Sequence, residues 1–109
     1  MLTTYFMLPC LNEAVVIGAS VQDLLSRTKD SFVVVVDDAS DDGTAAIARL
    51  AAEEMDQAER VILVRRTLPN ARVGKGAALN KGLQEIKQDV ESRGLEPDRV
   101  IACWMPTGL

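Results

Sequence analysis

The sequence lacks several features that would indicate particular classes of protein. It contains no histidine and only two cysteines, Cys10 and Cys103, and their spacing fits no metal-binding motif. Two cysteines in 109 residues also do not suggest a disulfide framework, so a reduced, cytoplasmic setting is favoured. Because no histidine is present to activate a thiol, we expect Cys10 to be a small wall residue and not a nucleophile.

An excess of positive charge is also absent, since 12 Lys and Arg stand against 16 Asp and Glu, a net charge of −4. Nucleic-acid binding requires clustered basic residues, so no nucleic-acid partner is expected. No apolar run approaches the roughly 20 residues that span a bilayer. The first residues, MLTTYFMLPCLNE, lack the basic segment of a secretory signal. Membrane association is therefore expected only through C-terminal parts that the sequence does not include.

What the sequence does contain is an alternation of short apolar runs with longer stretches of helical period, which is typical of successive βαβ units. The pattern predicts an α/β fold, a three-layer α/β/α Rossmann-like half domain with a mainly parallel sheet of about four strands. Strands one, two and four are expected side by side. The predicted strands cover 3–8, 32–36, 61–65 and 99–104, and the predicted helices cover 14–27, 44–55 and 77–92.

Several local features refine this prediction. Pro9 is expected to end strand one, because proline cannot donate to a sheet ladder. Asp41 and Asp42 stand where the N-cap of helix two belongs, and Gly94 is expected as the C-cap of helix three. Helical spacing predicts inward-facing apolar stripes. These consist of Val15, Ile17, Val21, Leu24 and Leu25 in helix one, Ala45, Ile47, Leu50 and Ala51 in helix two, and Leu79, Leu83, Ile86 and Val90 in helix three.

Two loops at the carboxyl ends of strands carry unusual polar groups, at 9–13 after strand one and at 37–44 after strand two. Neither loop is a phosphate cradle, because no GxGxxG turn follows strand one. A nucleotide can also be held by its base and ribose, with a carboxylate accepting the uracil N3 hydrogen. In open α/β sheets ligands bind in the crevice at the carboxyl ends of the strands. We therefore expect a ligand site between these two loops.

Three segments, P-x-L-N-E, V-V-D-D-A-S-D-D-G-T and G-K-G-A-A-L-N-K-G-L, occur in this order along the chain. Together they resemble the opening of family 2 glycosyltransferases of the GT-A fold. The resemblance implies one nucleotide-diphospho-sugar-binding domain over residues 1–109, truncated before its second half. It also implies a UDP-sugar donor and inverting transfer of the sugar to an acceptor hydroxyl.

Carried over to this sequence, the resemblance implies nucleotide-binding roles for seven residues. Asp38 would contact the uracil base, and Lys75 would face the base or the phosphates. Asn12 and Glu13 would serve equally well as caps of helix one, and a lysine ahead of a helix is usually solvated, so these alternatives stay open. The implied pocket consists of Pro9, Leu11, Asn12, Glu13, Asp37, Asp38 and Lys75.

The chain departs from the family pattern after strand four, where a D-x-D motif would hold Mg²⁺ or Mn²⁺. Met105 and Thr107 stand where the acids belong, so no catalytic residue and no metal ligand are assigned. Codons for Val-Leu-Asp-Ala-Asp-Gly, read with one base deleted, give Cys-Trp-Met-Pro-Thr-Gly, the sequence of 103–108. A frameshift is one hypothesis for this tail, and a natural or designed short domain is the alternative.

These departures lead to two alternative functions. The chain is either an inactive donor-binding part of a glycosyltransferase or a nucleotide-binding or folded remnant that acts only as a binding module. An unpaired fourth strand would also present open backbone hydrogen bonds, so a homodimer is expected.

Overall fold

The computed structural model describes residues 2–72 and 74–105, except for the side chain of Lys75. Four strands and three helices alternate along these residues, which confirms the expected α/β class. In chain order they are β1 (Thr3–Cys10), α1 (Ala14–Arg27), β2 (Ser31–Asp37), α2 (Thr44–Glu54), β3 (Val61–Arg65), α3 (Lys75–Arg93) and β4 (Val100–Trp104), with 3₁₀ turns at Ala58–Arg60 and Pro97–Arg99.

The four strands form one sheet in the order β3-β2-β1-β4. All three pairings are parallel. The predicted adjacency of strands one, two and four is therefore confirmed. Helices α1 and α2 pack on one face of the sheet and α3 packs on the other, which gives the three-layer Rossmann-like half domain.

The valine run of β2 forms the centre of both cores. Val33 and Val35 lie in the cluster with α1 and α2, whereas Val34 and Val36 lie in the cluster with α3. All four are fully buried. Successive side chains of a strand point to opposite faces, so a strand covered on both sides contains apolar residues throughout.

The predicted apolar stripes of the helices are wrong at three positions, because Val15, Leu50 and Leu83 are exposed. Residues two apart on a helix do not share a face. Val15 lies two positions before the buried Ile17, and Leu50 lies midway between two buried alanines of α2. Leu83 flanks the buried row of α3. The buried positions of α2 and α3 are mostly small: Thr44, Ala45, Ala48, Ala51 and Ala52 in α2, and Ala78, Gly82, Ile86 and Val90 in α3.

Pro9 does not end β1, which continues to Cys10, and Pro9 is a register partner of Val36. The Met7 carbonyl accepts from the Met105 amide on the β4 side, and the Cys10 carbonyl accepts from the Asp38 amide on the β2 side. Because backbone groups alternate sides along a strand, Pro9 faces the β4 side, beyond the last described pairing with β4 at Met7. Its missing N–H therefore removes no hydrogen bond from the described sheet.

Helix α3 approaches the sheet closely through Gly82. A Cβ added there would lie 3.0 Å from Met7 Sδ and 3.2 Å from Val36 Cγ2. Farther along the helix, Asp89 accepts a hydrogen bond of 2.5 Å from the Tyr5 hydroxyl. Burial, and then this carboxylate, raise the pKa of Tyr5 above its ordinary value. Helix α3 thus contacts β1 at two points along its length, at Gly82 beside Met7 and at Asp89 beside Tyr5.

The ends of α3 were predicted in part. Gly94 is the C-cap in the left-handed conformation, as expected. The helix begins at Lys75, two residues earlier than predicted, with Gly74 as its N-cap. Lys75 is therefore the first residue of the helix and not part of the preceding loop.

Candidate functional site

The site lies at the carboxyl edge of the sheet, where the loops after β1, β2 and β3 meet. The Asp38 amide donates to the Cys10 carbonyl at 2.8 Å, and the Arg66 amide donates to the Asp37 carbonyl at 2.8 Å. These two hydrogen bonds continue the pairing of β1, β2 and β3 by one residue beyond the strands. They place Asp37 and Asp38 between the loop after β1 and the loop after β3.

Asn12 and Glu13 connect the first two loops. The Asn12 amide donates to Ser40 Oγ at 2.9 Å, and Asn12 Oδ1 accepts from the Asp41 amide at 2.8 Å. The Glu13 amide donates to Thr44 Oγ1 at 3.1 Å. Glu13 occupies the N-cap position of α1, but its own side chain makes no capping hydrogen bond. The alternative role as side-chain caps is therefore wrong for both residues, and Asn12 cross-links the loops instead.

Asp42 and Asp41 do not act as the N-cap of α2, which is Gly43 in the left-handed conformation. Asp42 instead lies between two helix starts, because Oδ1 accepts from the Thr44 amide at 3.2 Å and Oδ2 from the Ala14 amide at 3.0 Å. The Thr44 hydroxyl also donates to this carboxylate, and these hydrogen bonds, the hydroxyl first, lower the pKa of Asp42. One carboxylate thus serves the first residues of both α1 and α2.

Asp37, the last residue of β2, is buried, with a relative exposure of 1%. Oδ1 accepts from the Ser40 amide at 3.0 Å, which closes a turn over the following residues. Oδ2 lies 3.4 Å from Nε of Arg65, whose side chain is largely exposed. A buried carboxylate is costly without such partners, so the turn and the arginine together explain how Asp37 is tolerated.

Asp38 is also buried, and both of its carboxylate oxygens are engaged. Oδ1 pairs with Nη1 of Arg66 at 2.8 Å, and both of these side chains are about nine-tenths buried. Oδ2 accepts from the Arg72 amide at 2.9 Å. Charge-assisted hydrogen bonds of this kind are among the stronger ones in proteins. The residue predicted to contact the base is therefore held by the loop after β3.

Arg72 links that loop to the segment after β2. Its guanidinium donates to the Ala39 carbonyl at 2.6 Å and to Asp41 Oδ2 at 2.7 Å. Arg72 and Ala39 both have positive φ values, 63° and 66°. Non-glycine residues adopt this left-handed conformation at an energetic cost. The guanidinium of Arg72 thus connects two residues with strained backbones, Arg72 itself and Ala39.

Cys10 lies at the base of the site as a buried thiol. Its Sγ donates to the Leu8 carbonyl at 3.1 Å. Burial, and then the charges of Glu13 and Asp37, raise the pKa of Cys10 to about 12. A thiol with so high a pKa is protonated at neutral pH and does not act as a nucleophile. Both Cys10 and Cys103 are free.

The predicted site residues thus fall into two groups. Five of them cluster after β1 and β2: Asn12, Glu13, Asp37, Asp38 and the partly exposed Leu11. Pro9 is buried in β1 beside them. Lys75 starts α3, three residues after Arg72. Its side chain lies outside the described part of the chain.

Sequence reasoning missed the basic partners Arg66 and Arg72. A signal for Arg66 was present, because the pair Arg65-Arg66 directly follows β3 and so lies at the same edge as the buried acids. Arg66 also lines a cleft of about 460 Å³ between the loop after β3 and helix α3. No comparable signal marks Arg72, whose contact depends on the path of the loop.

A divalent cation does not fit the described site. Within 2–72 and 74–105, no group of three His, Cys, Asp or Glu side chains could hold a metal ion. The carboxylates of Asp37 and Asp38 are used by Arg65, Arg66 and two backbone amides. Met105 supplies no hard ligand, and Thr107 lies outside the described residues.

A parallel α/β sheet with buried polar groups at the carboxyl ends of adjacent strands defines a class of proteins that bind ligands at this edge. The family model described as glycosyl transferase family 2 matches residues 5–91. The chain belongs to this family. Neither a comparison with curated proteins nor one with solved structures finds a match.

Membership of the family supports a glycosyltransferase function in general and implies a nucleotide-sugar donor. The matched residues include all three segments on which the resemblance was based. Among the residues that the structure describes, no helix is long and apolar enough to cross a membrane.

Proposed function

We propose that this chain binds the nucleotide of a UDP-sugar at the carboxyl edge of β1 and β2, as the donor-binding domain of an inverting glycosyltransferase. The observation that carries the proposal is the buried pair Asp37–Asp38 at the carboxyl end of the central strand β2, in a member of glycosyl transferase family 2. Protein partners offset the cost of burying these carboxylates, and in this low-dielectric position a carboxylate also forms a strong hydrogen bond with a ligand N–H.

Uracil presents an imide N–H between two carbonyl oxygens. A carboxylate is an acceptor with about four lone-pair sites on its two oxygens, so Asp38 can accept this N–H. Arg66 stabilises the negative charge of Asp38 from the other side. In this proposal Pro9 and Leu11 form the wall of the base pocket.

The remaining predicted residues bind the ribose and the diphosphate of the donor or support the residues that do. Asn12 and Glu13, on the loop after β1, face the ribose. Asp37 supports the turn that carries Asp38, through the Ser40 amide. Lys75, at the N-terminal end of α3, takes the diphosphate, where the helix dipole also favours negative charge.

We propose further that the chain binds the donor without transferring the sugar. No Asp or Glu occurs between Val100 and Leu109, so the segment that carries the metal-binding acids in the family has neutral residues here. This favours the second candidate, a non-catalytic nucleotide-binding module. A UDP-sugar turnover assay tests this proposal, since a chain that only binds the donor releases no free UDP from the UDP-sugar.

Asp38→Asn tests the base contact. Asparagine keeps an oxygen for Arg66 but directs an amide N–H towards the acceptor side, so UDP affinity should fall by about 1.5–3 kcal/mol. This variant is preferable to Asp38→Ala, which would leave Arg66 buried without its ion-pair partner. Titration calorimetry measures the change. Asp23→Asn, at an exposed pair on α1, is the control. Equal affinity of Asp38→Asn and the parent chain would exclude the role.

Metal addition provides a second measurement. The affinity for UDP should be the same with and without Mg²⁺ or Mn²⁺, because the described residues offer no metal site that could connect to the diphosphate. Calorimetric titration in chelator and in millimolar metal compares the two conditions. A rise of roughly tenfold on adding metal, equivalent to 1.4 kcal/mol, would show that acidic groups such as Asp37 ligate the cation after all.

We also propose that the chain forms a two-fold homodimer through the outer edge of β4. In the described part of the chain β4 pairs only with β1. An open strand edge recruits another strand, and two-fold symmetry is the commonest way to close such an assembly.

A further inference from the structure

The carboxylate of Asp38 is held at both oxygens by a single segment, residues 66–72, which we call the clasp. Its first residue, Arg66, donates from Nη1 to Oδ1 at 2.8 Å, and its last residue, Arg72, donates from the backbone amide to Oδ2 at 2.9 Å. Asp38 has a relative exposure of 6% under this segment. The acceptor assigned to the base is therefore covered by the protein itself.

We propose that the clasp is an autoinhibitory cover and that the Arg72 amide occupies the acceptor position used by the nucleobase. The inference rests on the proposed function of Asp38. A peptide N–H and a uracil imide N–H are both planar donors next to a carbonyl, and both suit the same carboxylate oxygen. The ligand and the Arg72 amide then compete for Oδ2. Nucleotide binding requires the clasp to open at its Arg72 end.

Side-chain bonds keep this end of the clasp closed. The Arg72 guanidinium reaches the Ala39 carbonyl at 2.6 Å and Asp41 at 2.7 Å. The Asp41 side chain is 80% exposed and lies outside the predicted pocket. Because Arg72 has a φ of 63°, its backbone is strained, and these bonds offset that strain. Removing either partner weakens the closed form.

The other end of the clasp is held more firmly. Arg66 also donates from Nη2 to the Asn70 carbonyl at 2.5 Å, and the Ala71 amide donates to the Thr67 carbonyl at 2.9 Å. Ala71 is buried. The turn 67–71 is thus closed on itself and connected to Arg66. Opening is localised at Arg72, where the exposed ion pair with Asp41 is the weakest connection.

Two variants of opposite charge test the proposal. Arg72→Ala removes a positive charge and Asp41→Ala a negative one, so a purely electrostatic effect on the anion UDP would have opposite signs in the two. The clasp predicts that both bind UDP more tightly, by roughly three- to tenfold, because the competent fraction rises. Asp23→Ala is the matched control for Asp41→Ala, with the same loss of charge from an exposed pair.

The calorimetric outcomes are decisive. Tighter binding by both variants, with Asp23→Ala unchanged, supports the clasp. Weaker binding by Arg72→Ala overturns it, since Arg72 would then contact the ligand. Equal effects of Asp41→Ala and Asp23→Ala also overturn it, since the ion pair would then hold nothing closed.

Hydrogen exchange of the backbone amide at position 72 tests the clasp without any ligand. The amide should be protected in the parent chain, less protected in Asp41→Ala and unprotected in Asp38→Asn, which keeps an oxygen for Arg66 and offers no acceptor to the Arg72 amide. If the parent chain, Arg72→Ala and Asp41→Ala all fail to bind UDP, the proposed function is wrong. The exchange rates then still decide whether the clasp exists: an amide that exchanges in the parent chain as fast as an exposed loop amide overturns it.

Discussion

At the scale of single residues, Ala39 combines a strained backbone with a central position in the site. It follows Asp38, has a φ of 66°, and its carbonyl accepts from Arg72. The left-handed conformation costs an L-residue about 1–2 kcal/mol. Glycine adopts this conformation freely.

Ala39→Gly should therefore stabilise the fold. The relief of strain exceeds the entropy that glycine adds to the unfolded chain, about 0.4–1 kcal/mol, so a net gain of about 1 kcal/mol is expected. Urea denaturation measures the free energy of unfolding. Ala48→Gly in α2 is the opposite control, because Ala48 is buried in a regular helix and its replacement costs stability. A loss of stability in Ala39→Gly would show that the backbone is unstrained there.

The partners of the acidic pair were not predicted from the sequence. Burial of Asp38 at the end of an apolar strand requires a partner, because an unpaired buried carboxylate is costly. That partner is Arg66, which extends β3 as Asp38 extends β2. The second partner, the Arg72 amide, could not be predicted, because a backbone donor has no sequence signature and its position depends on the folding of the whole loop.

At the scale of elements, apolar runs and turn signals predicted α1 and β3 at their observed bounds. Both are delimited by strong local patterns. The errors arose at residues whose strand pairing or burial is decided by tertiary contacts. Pro9 continues β1 because the side it faces carries no described pairing, and Leu50 is exposed because α2 packs through alanines. Helical period gives a face, but the partner surface selects which residues of that face are buried.

Gly82 determines how closely α3 approaches the sheet, and Gly82→Ala tests this. The added methyl would meet Met7 and the fully buried Val36 at 3.0 and 3.2 Å. Overpacking costs about 1–3 kcal/mol, whereas alanine gains about 1 kcal/mol of helix propensity. We expect a net loss of about 1 kcal/mol in the free energy of unfolding, measured by chemical denaturation.

Gly76→Ala is the matched control on the same helix, because no atom in the described part of the chain lies within 4 Å of an added Cβ there. It should raise stability by up to about 1 kcal/mol, since only the propensity changes. The two substitutions are chemically identical, so their difference isolates the contact with the sheet. Equal gains from both would mean that the sheet yields to the methyl and that Gly82 does not set the spacing.

At the scale of the whole molecule, the outer edge of β4 forms one end of the sheet and carries exposed apolar side chains. Ile101 and Trp104 are 41% and 47% exposed. The Met105 amide donates to the Met7 carbonyl, so odd-numbered residues of β4 direct their backbone groups towards β1. By alternation, Ala102 directs its N–H and carbonyl outwards, at the middle of the edge. A second copy of this edge, antiparallel to the first, would pair with it around a two-fold axis.

Ala102→Pro tests this dimer directly. Proline removes the outward N–H but no hydrogen bond to β1, and edge strands tolerate it, so the fold should persist while self-association is lost. Ala102→Val is the control, because it keeps the amide and favours a strand. Sedimentation velocity from low to high micromolar concentration should give dimers for the parent chain and Ala102→Val, and monomers for Ala102→Pro. A parent chain that stays monomeric throughout this range would show that the edge does not pair. Dimers that persist in a folded Ala102→Pro variant would move the interface away from β4.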